Sequence, residues 1–213
     1  MDLWAQQSSK DRSRGEIIIV RWADDFVVGF EHKSQAEKFL TDLKERMLKF
    51  SLELHPEKTR ILEFGRFATS NRKKRGLGKP ETFNFLGFTH ICGQTRLNKV
   101  FTVLRQTVKK KMRDKLHAIK AELRRRMHQP VPEQGKWLRA VVGGHNRYYG
   151  VPTNQKALNS FRCQVSRHWY RTLKRRSQKS TLTWARMKRH TDRWLPQVQI
   201  LHPYPLQRKG VMT

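Results

Sequence analysis

The run Glu16-Ile17-Ile18-Ile19-Val20-Arg21-Trp22-Ala23-Asp24-Asp25-Phe26-Val27-Val28-Gly29-Phe30 decides how the chain is read. Two apolar, β-branched segments flank a polar break, the pattern of two strands joined by a reversal. Ile17 to Val20 is the first predicted strand and Phe26 to Phe30 the second. Both runs are nearly continuous rather than alternating, so each strand is expected to be buried on both faces, with Asp24 and Asp25 where the chain turns. Adjacent carboxylates repel, and a buried hairpin tip keeps them only when a positive group neutralises them, a divalent metal ion being the usual one. A plain turn is the competing reading, because Asp bonds to the amides ahead of it and tolerates left-handed backbone.

Outward from that hairpin, charge dominates. The 213 residues hold 46 Lys and Arg against 17 Asp and Glu, a net charge of +29. A field of that size is costly in self-repulsion unless a polyanion binds, so nucleic acid is the expected partner, ahead of an anionic membrane surface. Most of the acidic residues lie at or before Glu57, which separates a mixed first half from a strongly basic second half. The aromatic content, with six Trp and eleven Phe, argues against a disordered basic chain. Cys92 and Cys163 have no zinc-site spacing around them and read as reduced thiols. The first 15 residues lack the apolar core of a signal peptide and no run reaches the length of a membrane span, so a cytoplasmic (bacterial) or organellar location without membrane attachment is expected.

After the hairpin, Ser34-Gln35-Ala36-Glu37 has the form of a capping box, and Phe39, Leu40, Leu43, Met47, Leu48 and Phe50 form a helical stripe. Ile61 to Phe64 is a predicted short strand. Residues 66–81 carry six Lys or Arg without apolar periodicity and read as a mobile basic loop, either a solvated linker or a phosphate contact. Phe83 to Phe88 resumes strand character, with Gly87 allowing a bend or a close approach. Leu104, Val108, Met112, Leu116, Ile119, Leu123 and Met127 step by three and four, predicting one long helix to Gln129-Pro130. A second helix is expected from Pro132-Glu133, interrupted or closely packed at Gly143-Gly144. A third is expected behind a Thr153 or Asn154 cap through Leu158, Phe161, Val165, Trp169 and Leu173. Thr181 to Met187 is a short fourth element, and His202-Pro203-Tyr204-Pro205 is an extended tail. The fold class is α+β: a partial sheet with a packed helix, followed by an all-α basic three-helix bundle.

Several of these segments match one family in order. Arg21-Trp22-Ala23-Asp24-Asp25-Phe26, then Leu52-Glu53-Leu54-His55-Pro56-Glu57-Lys58-Thr59, then Phe85-Leu86-Gly87-Phe88 resemble the last palm motifs of group II intron reverse transcriptase/maturases. Trp22 stands where that family usually has Tyr. The basic helices with His145-Asn146-Arg147-Tyr148-Tyr149, the Tyr170 to Ser177 cluster, Leu182-Thr183-Trp184 and the tail resemble its thumb and maturase region. The resemblance implies domains at 1–95 (partial palm), 96–178 (thumb/maturase bundle) and 179–213 (maturase extension).

The resemblance also implies an RNA-directed DNA polymerase, a nucleotidyltransferase using two Mg²⁺ ions, dNTPs, an RNA template and a DNA primer, joined to an intron RNA-binding maturase that assists splicing. Asp24 and Asp25 would be the catalytic and metal-binding pair; carboxylate oxygens suit a small hard cation, and two such ions serve in-line phosphoryl transfer. Trp22 and Lys58 would lie by the nucleotide. Phe85, Leu86 and Gly87 would hold the primer end, a plain core strand being the alternative. Arg105, Lys109, Lys110, Arg113, Arg124, Arg125, Arg147, Lys174, Arg175 and Arg176 are the expected RNA contacts. Trp137, Tyr148, Tyr149 and Trp169 are either stacking residues or core. The family also has fingers and an earlier palm strand with another metal-binding Asp. Asp2 and Asp11 stand in no strand context, so the chain is expected to be the C-terminal part of a longer enzyme that binds RNA without extending a primer. A non-catalytic RNA-binding splicing factor is the alternative. Nothing resembling an appended His-Asn-His endonuclease follows.

Overall fold

In the computed structural model, which describes residues 17–95 and 98–203, the apolar run folds into a hairpin of β1 (Ile17–Trp22) and β2 (Asp25–Phe30). Pairing runs from Ile17 opposite Phe30 to Trp22 opposite Asp25, leaving Ala23 and Asp24 as a two-residue turn. The strands alternate after all: Ile17 and Ile19 are half-buried, while Ile18, Val20 and Trp22 are 62, 48 and 68% exposed. Burial on both faces was expected from composition alone; a helix covers only one face here. That helix is α1 (Lys33–Leu48), and its Phe39 ring lies 5.2 Å from the ring of Phe30. Leu43 and Met47 are buried on its inner side, but Leu48 and Phe50, assigned to the same stripe, are exposed. The expected capping box does not form. His32 is the N-cap without a side-chain bond, Ser34 lies inside the helix, and Glu37 instead pairs with Lys33 at 3.2 Å on the surface. This unit ends at Phe64, and residues 61–64 form no strand.

The second unit begins at Gly65. The supposed basic loop contains a short helix, α2 (Ala68–Lys74), anchored by buried Ala68. From it Arg72 donates to the Gly78 carbonyl at 3.0 Å and approaches Glu81 at 3.9 Å, so one of its cations has a structural task. A three-stranded antiparallel sheet follows in the order β3 (Phe83–Phe85), β4 (Phe88–Gln94), β5 (Phe101–Thr107). β5 corrects the long-helix expectation. Phe101-Thr102-Val103-Leu104-Arg105-Gln106-Thr107 is rich in aromatic and β-branched residues, and the sheet edge beside it outweighed the coincidental four-residue step from Leu104 to Val108.

The helix starts only at α3 (Lys109–Arg125), with Leu116, Ile119 and Leu123 buried. It packs with α4 (Val131–Tyr149), α5 (Gln155–Lys174) and α6 (Trp184–Trp194) around Leu138, Val142, Phe161, Val165, Trp169 and Met187, all fully buried. The bundle therefore has four helices, since α6 contributes Met187 and Trp194 to the same core. Trp169 is core, and its indole Nε1 donates to Gln134 Oε1 at 2.8 Å. Gln134 in turn donates to the Arg126 carbonyl at 2.5 Å, which satisfies the C-terminal end of α3. Truncating a side chain of that size in a close-packed core costs about 3–5 kcal/mol. Gly143 and Gly144 do not interrupt α4, and no neighbour stands within 4 Å of the Cβ either would carry. After α6, Arg162 donates to the carbonyls of Leu195 (3.2 Å) and Pro196 (3.0 Å), while Leu201 N donates to the Gly150 carbonyl at 2.8 Å. The tail is thus laid against the end of α4. Asp2, Asp11 and Tyr204-Pro205 lie outside the described residues.

Sheet and bundle meet at the link between α4 and α5. Asn154, expected as a helix cap, makes no cap bond. Its Oδ1 instead accepts from Thr107 N at 2.9 Å, and its Nδ2 donates to Thr107 Oγ1 (2.9 Å) and to the Tyr149 carbonyl (2.8 Å). Beside it the Thr153 hydroxyl accepts from Arg105 N at 2.9 Å. Asn154 is 1% exposed, so removing its amide would leave Thr107 N and Thr107 Oγ1, both at a buried site, without this partner. Asn154→Ala should lower unfolding free energy by about 2–4 kcal/mol, measured by urea denaturation; a loss under about 1 kcal/mol would mean water replaces the amide.

Candidate active site and nucleic-acid interface

The turn that carries the two aspartates is built on strained but anchored backbone. Ala23 takes a φ of 54° where glycine is the usual residue, and Arg21 Nε donates to the Ala23 carbonyl at 2.8 Å. Asp24 and Asp25 are both exposed, which corrects the buried tip inferred from composition. Two adjacent carboxylates in water need no neutralising partner to persist there. Their oxygens have the right chemistry for Mg²⁺. Among the described residues, however, no group of three His, Cys, Asp or Glu side chains comes together as a metal-binding set. Trp22 faces Asp25 across the ladder and is exposed, while Lys58 stands exposed in the turn after Pro56, its N–H bonded to the His55 carbonyl at 3.2 Å.

The Phe85-Leu86-Gly87-Phe88 motif is a tight reversal between β3 and β4. Leu86 and Gly87 both have positive φ, 48° and 79°, and Phe85 pairs with Phe88. The turn is docked on the end of α4. Tyr148 Oη donates to the Leu86 carbonyl at 2.9 Å, and the Phe88 ring stacks with that of Tyr148 and meets Tyr149 edge-on. A Cβ on Gly87 would stand 2.9 Å from Tyr149 Oη. Glycine is therefore required here twice, by its backbone conformation and by a close approach. Tyr148 remains 53% exposed, so it both braces this turn and presents a ring face to solvent. Neither contact was legible from the strand pattern, since the Tyr-Tyr pair lies some sixty residues downstream.

The expected RNA contacts separate into two kinds. Lys109, Lys110, Arg113, Arg124 and Arg125 on α3 are exposed opposite its buried stripe, as are Arg147 on α4 and Lys174 with Arg175 at the end of α5. Arg105 is half-buried in β5. Arg125 already contacts Glu122 at 2.9 Å, and Arg126 holds the same carboxylate more closely, which keeps Glu122 below the usual carboxylate range. Arg126 also lies 5.2 Å over the Trp137 ring. Arg176 donates to the Gln129 carbonyl across the bundle, and its burial pulls its pKa down. It is a structural contact as well as a cation. No helix among the described residues is long and apolar enough to cross a membrane.

One buried group belongs to neither set. His145 on α4 is 8% exposed, its ring stacked on Phe161 at 3.7 Å, and its Nε2 has no hydrogen-bond partner. Burial, reinforced by Lys115, lowers its pKa from 6.5 to about 4.

Residues 2–90 match the family model of reverse transcriptase (RNA-dependent DNA polymerase). The match takes in the Asp24-Asp25 turn, Lys58 and the Phe85 to Gly87 reversal, and stops within β4. No curated protein matches the chain. The matched residues thus include the hairpin and α1 in full, whereas the four-helix bundle lies outside them.

Two measurements follow from this geometry. Gly87→Ala should cost about 1–3 kcal/mol of stability through its positive φ and the Tyr149 contact, read by urea denaturation; a neutral outcome would mean the Tyr149 ring moves aside freely. The second concerns acid. Because the folded His145 binds a proton less readily than the unfolded one, its contribution is full above pH 6.5 and is lost as pH falls toward 4. His90, His168 and His190 are shifted in the same direction, burial first in each case. His145→Phe, which keeps a stacking ring but cannot titrate, should reduce the stability lost between about pH 7 and about pH 4.5 by about 2 kcal/mol, measured by urea unfolding at both.

Proposed function

We propose that the chain is an intron-RNA-binding reverse transcriptase/maturase segment of the group II intron type, whose working part in isolation is its cationic helical half. The carrying observation is α3. One face buries Leu116, Ile119 and Leu123, and the rest presents Lys109, Lys110, Arg113, Arg124 and Arg125 to solvent, with Asp114 as its one exposed acid. Cations in that number are unfavourable on a helix surface unless phosphates face them. The reverse transcriptase match through residue 90 supports the same reading from the other half of the sequence.

In this reading Asp24 and Asp25 would hold Mg²⁺, which when bound stabilises charge on transferring phosphoryl oxygens. The chain's own groups do the rest: Lys58 offers a cation to a nucleotide, Trp22 an exposed aromatic face, and the reversal at Leu86-Gly87 a backbone surface for a primer end. The pair supplies too few ligands for two ions by itself, so DNA synthesis needs a further carboxylate. Splicing assistance rests on the helices alone, with Arg147, Lys174 and Arg175 extending the cationic surface beyond α3.

Binding and synthesis are tested together. If six to ten cations meet phosphates, affinity for structured RNA should fall on the order of a thousandfold between about 50 and 200 mM salt, followed by fluorescence anisotropy. A salt-independent Kd would sink the phosphate reading. Primer extension by the purified chain should give no product; Mg²⁺-dependent cDNA that disappears in Asp24→Asn/Asp25→Asn would overturn the view that the site is incomplete. Retained RNA binding in that double variant is expected, because neither aspartate belongs to the cationic surface.

A further inference from the structure

Between α3 and α4 lies an open cleft of about 690 Å³. Its α3 wall carries Lys111, Asp114 and Lys115, and its α4 wall Gly144, His145 and Tyr149. The two helices do not pack closely along this stretch; α3 leans mainly on α5 and α4 on α6. Gly144 contributes to the gap, since the place a side chain would fill is empty space. The cleft is within the size range of small-ligand pockets. It also has two features that a gap between helices lacks by default. His145 is more than nine-tenths buried, its Nε2 is itself closed off and has no partner, and an unpaired buried nitrogen is unfavourable, so a turn of the ring toward the cleft would let an occupant supply the bond. Two lysines stand on the wall facing it.

We propose that this cleft receives one unpaired nucleotide of a bound RNA. The base enters between the helices, its edge hydrogen-bonded to His145 Nε2 and its exocyclic amine to the Asp114 carboxylate, while the flanking phosphate rests on Lys111 and Lys115. The chemistry of each wall selects that occupant. Lysine supplies point charges suited to phosphate but carries no sequence information, and a carboxylate accepts from base amino groups. An imidazole held neutral in a stack with Phe161 offers a hydrogen-bonding edge without adding a cation that would favour phosphate over base. Asp114 itself speaks against a plain phosphate groove, because a carboxylate between two lysines weakens an anion site yet suits a base edge. Unpaired bases are the parts of folded RNA that proteins read in this way.

The proposal rests on the RNA-binding reading, and the experiment separates the two. The 213-residue chain is titrated with a duplex RNA hairpin bearing a single bulged 2-aminopurine and with the same hairpin fully paired. The bulged RNA should bind about tenfold tighter, the size of one hydrogen-bonded or stacked base contact, with a change in 2-aminopurine emission. Gly144→Leu projects a side chain toward the cleft from a position whose Cβ meets no atom within 4 Å, and it improves helix propensity, so it should remove both the preference and the emission change while paired-RNA affinity stays within about twofold. His145→Phe, which keeps the ring and loses the nitrogen, should weaken the bulged RNA alone by about fivefold or more. Equal affinity of the parent chain for the two RNAs, or an undiminished preference in Gly144→Leu, overturns the cleft proposal and leaves general RNA binding standing. Failure to bind either RNA overturns both.

Discussion

The backbone of β5 is the constraint on which the second unit depends. Its hydrogen-bonding groups on one side are taken by β4, and on the other side Arg105 N and the buried Thr107 N need partners from outside the sheet. Thr153 and Asn154 answer that demand with side chains in place of another strand, accepting from Arg105 N and Thr107 N. The same amide that satisfies β5 also donates to the Tyr149 carbonyl at the end of α4. A single side chain therefore fixes the sheet edge and the exit of one helix. Thr153 accepts a φ of 76° to bring its hydroxyl into line, a strain that a β-branched residue bears only where its surroundings dictate it.

From that seam the neighbouring contacts follow. With the end of α4 held against β5, Tyr148 and Tyr149 fall over the reversal at Leu86-Gly87, and Phe88 is buried beneath their rings. The tail then closes over the same helix end, His202 meeting the Arg147 carbonyl at 2.8 Å and Leu201 the Gly150 carbonyl. Three stretches distant in sequence share one helix terminus and bond to its carbonyls at Arg147, Tyr149 and Gly150.

Elements governed by local pattern were legible in the sequence, and those governed by remote partners were not. The β1–β2 hairpin, α3 from Met112 onward, and the apolar stripe of α5 follow from period and propensity within a dozen residues. β5 did not, because Leu104 and Val108 continue the step of the helix behind them, and only the neighbouring strand β4 breaks the tie. The cap at Asn154 had the right residue type with the wrong partner, since a side chain that can bond a helix amide can equally bond a strand amide across the fold. The basic stretch hid α2 because Arg72 gains its role from Gly78 and Glu81, which no helical periodicity marks. At the candidate site, the residue types of Asp24, Asp25 and Lys58 were plain, and their exposure was not: continuous apolar runs look buried even when a single helix covers a two-stranded sheet. His145 stood within a recognised motif, yet nothing in the letters tells a satisfied core histidine from one whose nitrogen is left open.

The basic character of the chain also divides unevenly between structure and surface. Arg72, Arg126, Arg162 and Arg176 each spend their guanidinium on carbonyls or a carboxylate inside the fold, and all four are at least half withdrawn from water. The lysines of α3 do none of this. Arginine's planar fork suits it to several backbone oxygens at once, whereas a lysine ammonium is a compact, strongly hydrated charge. The arginines named are part of how the bundle is closed, and the lysines of α3 are a cost to the bundle when it stands alone. On α3 the apolar stripe of Leu116, Ile119 and Leu123 fixes the direction of those cations, which stand on the opposite, solvent-facing side of the helix.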